Sequence, residues 1–410
     1  MILLSGADVV LPVEVLRPGT VVIDGDRIAD VVAGVRGGGA ADVSIDCSGH
    51  YVVPGFIDVH VHGVQGFDTL TGEDGIASMA ACFPAFGVTA FCPTSIACDP
   101  VTLGRMLASV RRARTAGAPG ARVLPAHLES NFINPDFKGA QPIDCLRLPR
   151  GPAASGTFSG REILDTIAAA RPDVGIITIA PELDGALDLI ADLVQAGHAV
   201  SLGHSGATYE QGLAGIAAGA RQATHLFNRM PPVAHRAPGL AGAVLEREEI
   251  AAELVCDGVH VHPAMMKVAV SAKRPERIMA ITDGTAGSGL PYGSKSTIGG
   301  RPIDVREASY LEDGTLAGSA LTLDRAFALL VATVGMSLVD AATVCSTTPA
   351  RELNLHGFGV IAPGAIADLV VLDRNFGVRQ TYIAGRLTYE NSGSGGAGIT
   401  GLRDIQEASG

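Results

Sequence analysis

The chain has 410 residues, of which 47% are hydrophobic and 18% charged, and its formal net charge is -12. That length exceeds one small domain and fits a barrel of about 250 residues plus a smaller unit. The acidic balance, spread along the chain, argues against nucleic-acid and anionic-membrane partners, which call for a basic patch, and leaves a small anionic substrate open.

Residues 1–52 read as short strands separated by turns. TVVIDGDRIADVVAG carries β-branched runs around an Asp-Gly-Asp turn, a hairpin signal. The segment ADLVVLDRNFGVRQTYIAGRLTYE (367–390) has the same character. A small β-sandwich domain built from both chain ends, residues 1–52 and 357–390, is therefore expected. The middle, 53–356, alternates. Apolar runs at 52–62, 87–94, 122–129, 174–182, 198–205, 221–228, 250–260 and 277–284 are separated mostly by stretches of helical composition, such as 185–197 and 209–220. Eight strands alternating with helices predict an α/β fold, a (β/α)8 TIM-like barrel. The stretch 130–173 is long for a strand-to-helix loop and reads as a lid or substrate loop. Helices are expected near 322–335 and 337–346. The Gly/Ser-rich end, 391–410, reads as a flexible tail.

The seven cysteines are odd in number and contain no CxxC pair, which argues for a reducing compartment rather than a disulfide framework. No apolar run approaches the roughly 18 residues of a membrane span, and the start lacks a basic segment followed by an apolar one. The cytoplasm is expected.

The sharpest chemical feature is Asp58-Val-His60-Val-His62. In a regular strand these three polar side chains share a face. Inside a barrel they need a partner, and a metal is one, since neutral imidazole is a common ligand. Two hydrogen-bonded core histidines would explain the HxH by itself equally well. Its companions decide: Glu129 ends the third strand, His204 the fifth, His225 the sixth and Asp283 the eighth. Barrel catalysis sits at the C-terminal ends of strands. His and Glu side chains suit a divalent metal with an open position for water. Asp283 is then the natural general base and acid, although a helix cap would also fit it. His127, two residues before Glu129, reads either as support for a ligand or as a packed core histidine.

The segments PGFIDVHVHG, HLES, LGHS, THLFNRM, CDGVHVHP, ITDG, DGTLAGSALTLDRA and IAPGAIADLVVLD occur in one order. Together they resemble the N-acetylglucosamine-6-phosphate deacetylase family of the amidohydrolase superfamily, over roughly residues 1–390. THLFN-x-M and DGTLAGSALT are specific to that family, whereas PGFIDVHVH marks only the superfamily. The resemblance implies hydrolysis of a sugar acetamide to acetate and a free amine. It implies Glu129, His204 and His225 as the main metal ligands, His60 and His62 as support for a second ion, and Asp283 as the acid/base. The cofactor would be one or two divalent ions, zinc first, with iron, manganese or cobalt compatible with the same donors. Gln141, Asn228 and His260 match positions that contact sugar or phosphate, and Leu316, Ala317 and Gly318 match a loop lining the sugar site. Arg236 matches an arginine that reaches the phosphate across a homodimer interface; read alone, it is a solvated loop arginine.

Three departures from the family pattern stand out: Ser130-Asn131 after Glu129, Arg229 between Asn228 and Met230, and Gly284-Thr285 after Asp283. They leave the metal ligands intact and fall in loops expected to face the substrate. Other N-acetyl amino sugars, such as N-acetylgalactosamine 6-phosphate, or other N-acyl compounds are the alternative substrates. A relative using a bridging carboxylated lysine on strand 4 is disfavoured, because VGIITIAPE has no lysine. A non-catalytic barrel that serves as a binding protein would be expected to have lost ligands.

Overall fold

Each apolar run of the middle segment contributes a barrel strand in the computed structural model, which describes all residues except 38, 40–42, 73, 118–119, 151–156 and 392–410. In order, the strands are Phe56–Val61, Val88–Ser95, Ala126–Leu128, Val174–Ile179, Ala199–Leu202, Gln222–Ala223, Ala251–Val255 and Ile278–Ile281. Each pairs in parallel with the next. Asp283 N donates to His60 O at 3.0 Å and Val61 bridges Gly284, which joins the eighth strand to the first. The result is the expected (β/α)8 barrel.

Local chemistry starts the helices where the strands stop. Asp99 caps Pro100–Ala116 by accepting from the backbone N–H groups of Val101 and Thr102. Gly160–Ala169 and Tyr209–Ala217 both begin with reciprocal capping boxes, Ser159 with Glu162 and Thr208 with Gln211. Leu103, Met106, Leu107 and Val110 recur at helical spacing and pack into the main core around the strands.

Eight strands from the two chain ends form one sheet: Ile2–Val10, Val15–Asp24, Arg27–Ala33, Val43–Asp46, Tyr51–Pro54, Leu369–Leu372, Val378–Ile383 and Arg386–Glu390. Tyr51–Pro54 runs antiparallel to Leu369–Leu372, with Val52 opposite Val371. The Asp-Gly-Asp turn joins the second strand to the third, with Gly25 at φ 59°. Leu4, Val21, Ile23, Ile28, Val52, Leu369 and Tyr382 belong to a core cluster separate from that of the barrel. This is the small domain of the predicted architecture.

After the eighth strand the chain forms a hairpin that the sequence reading lacks. Lys295–Ile298 pairs with Arg301–Val305 through Gly299-Gly300, at φ 55° and 77°. Two positive φ values in a two-residue turn explain the glycine pair, which was a legible hairpin signal. The expected helices near 322–335 and 337–346 are present, each passing into a wider π turn. The stretch 130–173 contains short 3-10 turns at Pro135–Phe137 and Ile143–Cys145 before its helix. The Gly/Ser-rich tail from residue 392 onward lies outside the described residues. No helix among the described residues is long and apolar enough to cross a membrane.

Candidate active site

Glu129, His204, His225 and Asp283 all lie just past the C-terminal ends of their strands, and His60 and His62 lie at the end of the first. Three of them have a backbone that L residues seldom adopt: φ is 47° at His204, 30° at His225 and 49° at Asp283. Such residues cost on the order of 1–3 kcal/mol each and persist where the surroundings over-determine them. Here Asn134 N donates to His204 O (3.0 Å), Asn228 N to His225 O (2.9 Å) and Ser319 N to Asp283 O (2.7 Å). The turns re-aim the side chains at one point.

The first cluster is Glu129 with His204 and His225. His204 Nδ1 donates to Phe137 O at 2.8 Å, so the neutral ring presents a lone pair at Nε2. That nitrogen lies 2.7 Å from Glu129 Oε1 and 3.0 Å from His225 Nε2, which is itself 2.9 Å from the same oxygen. Three electron-rich atoms this close need extra protons or a shared cation. Burial opposes charge on His225, but the Glu129 carboxylate outweighs it and holds the imidazole up to about 9. Burial also opposes ionisation of Glu129, yet the neighbouring His204 and His225 hold its carboxyl well below the usual range.

The second cluster is His60 with His62, Glu129 and Asp283. His62 Nδ1 donates to Thr94 O at 3.2 Å, which leaves its Nε2 facing His60 Nε2 at 3.3 Å and Asp283 Oδ1 at 3.2 Å. Asp283 Oδ1 is 3.5 Å from His60 Nε2. Burial works against the Asp283 carboxylate, but its contacts with His62 and His60 keep the carboxyl below its ordinary range. Burial pushes His60 down to about 3. The sets Glu129–His204–His225 and His60–His62–Glu129 each bring their ligand atoms within 4.8 Å of one another and contain only nitrogen and oxygen donors. The fit is therefore to one or two divalent cations of borderline hardness.

Asp58 does not join them. The register between the first two strands shifts between Asp58 and Val61, which breaks the simple alternation expected of Asp58, His60 and His62. Asp58 instead accepts from Thr282 Oγ1 at 2.6 Å and ties the first strand to the eighth. Burial pushes its carboxyl up to about 7. His127 is fully buried, with its Nδ1 donating to Val59 O (3.0 Å) and its Nε2 2.9 Å from Thr178 Oγ1.

Sequence reasoning missed Glu253. This fully buried carboxylate on the seventh strand puts Oε2 2.9 Å from His60 Nδ1, and Oε1 lies 3.6 Å from His127 Nδ1. Its signal was present: it is the single acid in the apolar run IAAELVC. Asp257 was also missed. Its Oδ2 lies 2.6 Å from His260 Nδ1 and so fixes the ring.

The clusters form the floor of a cavity of about 440 Å³. Of the residues implied as substrate contacts, Gln141, Asn228, His260, Leu316 and Gly318 line it. Gln141 also donates to Glu129 Oε2 while its Oε1 accepts from Ala97 N at 2.7 Å. Gly318 lies so close to Asp283 that a Cβ there would come 2.7 Å from Asp283 O. Ala317 is not brought to the cavity; its methyl is buried with Ile96, Ile298, Ile303 and Leu311 beneath the loop. Arg236 is exposed outside the cavity, with Nη1 2.8 Å from His235 Nε2. Of the departures, Ser130 and Asn131 are not among the residues lining the cavity. Ser130 Oγ donates to Thr178 O (2.5 Å), and Asn131 Nδ2 donates to Cys98 O and Cys145 O (2.8 and 2.7 Å). Arg229 does line the cavity.

Residues 51–388 match the amidohydrolase family. The chain is 34% identical over 342 residues to the N-acetylglucosamine-6-phosphate deacetylase of Vibrio furnissii, covering 83% of each chain. It is also 34% identical over 370 residues to the N-acetylgalactosamine-6-phosphate deacetylase of Escherichia coli O157:H7, covering 88% of this chain and 93% of that one. A mutant N-acetyl-D-glucosamine-6-phosphate deacetylase from Mycobacterium smegmatis, solved in complex with N-acetyl-D-glucosamine-6-phosphate, superposes with a TM-score of 0.85 at 35% identity. The match covers 94% of this chain and 99% of that one. With the barrel, the small domain and the clustered histidines and carboxylates all in place, the chain belongs to the amidohydrolase family and, within it, to the N-acetylglucosamine-6-phosphate deacetylases.

Proposed function

We propose that this protein hydrolyses the acetamide of N-acetylglucosamine 6-phosphate to glucosamine 6-phosphate and acetate. The observation that carries the reading is Asp283 Oδ1 within 3.2 Å of His62 Nε2, beside the Glu129–His204–His225 cluster, at the floor of a cavity able to hold a small sugar. Glu129, His204 and His225 would hold one divalent ion, and His60 and His62, with Glu129, a second; zinc is the proposed identity. Bound there, the metal supplies Lewis acidity, which makes water more acidic and polarises the amide carbonyl.

The protein's own groups do the rest. Asp283 stays ionised beside His62 and His60 and takes a proton from the attacking water. The water oxygen bonds to the acetyl carbon, the C–N bond breaks, and Asp283 delivers the proton to the departing sugar nitrogen. His260, fixed by Asp257, and Asn228 offer hydrogen bonds to sugar or phosphate oxygens. Gln141 holds Glu129 in place through its own bond to Ala97 N. Phe137, Phe227, Ile298 and Leu316 give the cavity apolar walls that exclude water.

A homodimer belongs to the same reading, with Arg236 of each copy reaching the other's phosphate, for which a planar guanidinium is suited. The cytoplasm is the proposed compartment, consistent with seven free cysteines. The proposed domain division is 1–52 with 357–390 for the small domain and 53–356 for the barrel.

The test is acetate release from N-acetylglucosamine 6-phosphate, with N-acetylglucosamine and N-acetylgalactosamine 6-phosphate alongside, each metal-replete and chelated. Chelator-sensitive turnover of the first substrate in clear preference to the others supports the proposal. A preference for the galactosamine compound would move the assignment to the chemistry of the Escherichia coli relative. Absence of turnover with metal bound would overturn the sugar assignment.

A further inference from the structure

Among the described residues that line the cavity, Arg229 is the sole arginine or lysine, against three carboxylates, Glu129, Asp136 and Asp283. Arg236 lies outside the cavity within one chain. An anionic substrate therefore meets one permanently charged cation, Arg229, among the described lining residues of the same subunit.

Three observations show that this arginine is placed rather than merely solvated. Its backbone is left-handed at φ 52°, in a run where Phe227 (φ 77°) and His225 (φ 30°) are left-handed too. Its carbonyl accepts from Ser205 N at 3.0 Å, which ties it to the residue after His204. Its side chain lies across Gly139: a Cβ there would come 2.6 Å from Arg229 Nε and 3.1 Å from Cδ. The close approach depends on glycine. The guanidinium, held by its stem, makes no hydrogen bond or ion pair with any described residue. Its donors remain available to a ligand.

We infer that Arg229 binds the substrate phosphate from within the same subunit and sets the preference for phosphorylated over unphosphorylated sugars. This rests on the proposed deacetylase reading, and it adds a phosphate contact that does not depend on a second copy of the chain. The guanidinium fork matches two phosphate oxygens, and the charge-assisted bonds are among the stronger polar contacts. Because Arg229 is exposed, solvent screens part of the effect.

The decisive quantity is the ratio of kcat/KM for N-acetylglucosamine 6-phosphate to that for N-acetylglucosamine. In Arg229→Met the ratio should fall about tenfold or more, mainly through KM for the phosphorylated sugar. Arg229→Lys should recover part of the loss, since it keeps the charge without the fork. Equal losses on both sugars, or an intact ratio, would overturn the inference. A second measurement needs no turnover: calorimetric binding of glucose 6-phosphate and of glucose to the metal-replete protein. Selective weakening of glucose 6-phosphate binding in Arg229→Met upholds the anion site even if no acetamide is hydrolysed, in which case the deacetylase reading alone fails. Unaltered binding of the phosphorylated sugar overturns the Arg229 assignment whatever the activity.

Discussion

Glu253 Oε2 lies 2.9 Å from His60 Nδ1, and both side chains are fully shielded from solvent. The carboxylate thereby sets which imidazole nitrogen is left to face His62, Asp283 and a metal. Partners of this kind typically contribute 10–100-fold to metal affinity. Burial pushes the Glu253 carboxyl up to about 7, so its negative charge in this position is costly and is stabilised by the neighbouring His127 and His225. Glu253→Gln should lower metal retention at the His60–His62 cluster by about tenfold or more, read as metal content after dialysis against a graded chelator. Retention equal to the parent protein would mean that strand packing alone orients His60.

Asp283→Asn keeps the shape of the side chain and removes the base. Turnover should fall about a thousandfold or more, with the ion at Glu129, His204 and His225 still bound. Metal analysis and acetate release on the same preparation check the two halves separately. Substantial residual turnover would assign the proton transfer to another group.

Removal of metal should cost stability as well as activity. Without a cation, the lone pairs of His204 and His225 and the Glu129 carboxylate crowd within about 3 Å and must be relieved by protons. Binding at a thousandfold excess over Kd is worth about 4 kcal/mol to the folded state. A chelated sample should therefore melt at a lower temperature and recover on zinc addition. An unshifted melting curve after verified metal loss would argue against ligation by this cluster.

Mixed subunits test the homodimer. Combining Arg236→Met protein with Asp283→Asn protein creates a composite site that holds an intact Asp283 and receives Arg236 from the other copy. Activity should rise well above that of either variant alone as subunits exchange. No recovery under demonstrated exchange would place the Arg236 contact within its own chain or remove it altogether.

A pH-dependent term is expected at a residue that does not line the cavity. Lys273 is buried at the end of the helix Pro263–Lys273, where its ammonium donates to Arg247 O. Burial pushes its pKa from 10.5 down to about 8. The unfolded chain then binds more protons between those values, so this contribution makes stability rise as pH increases from about 8 to 10.5. Relative to Lys273→Met, the parent protein should gain on the order of 2–3 kcal/mol across that window, read from urea unfolding. A constant difference would show that water reaches the ammonium in the folded state.

Much of this protein was legible in its sequence, because burial and backbone geometry leave a periodic record. The eight apolar runs, the capping residues and the Asp-Gly-Asp turn encode local preferences, and these became strands, helix starts and a hairpin. His60, His62, Glu129, His204, His225 and Asp283 could be singled out because a polar residue ending an apolar strand needs a reason. The same local signals were available for Glu253 and for Gly299-Gly300, and both were overlooked. What depended on the tertiary structure was how these residues meet. The register shift after Asp58 accompanies the turn of that side chain to Thr282 instead of the His60–His62 cluster. Left-handed turns at His204 and Asp283 carry no side-chain pattern, since contacts from other segments, Asn134 and Ser319, hold them there, whereas the turn at His225 is closed locally by Asn228. Ala317 sinks into a small cluster while Arg229 crosses Gly139 into the cavity. Periodicity determines which face of an element is buried; only packing between segments distant in sequence decides which side chains share a site.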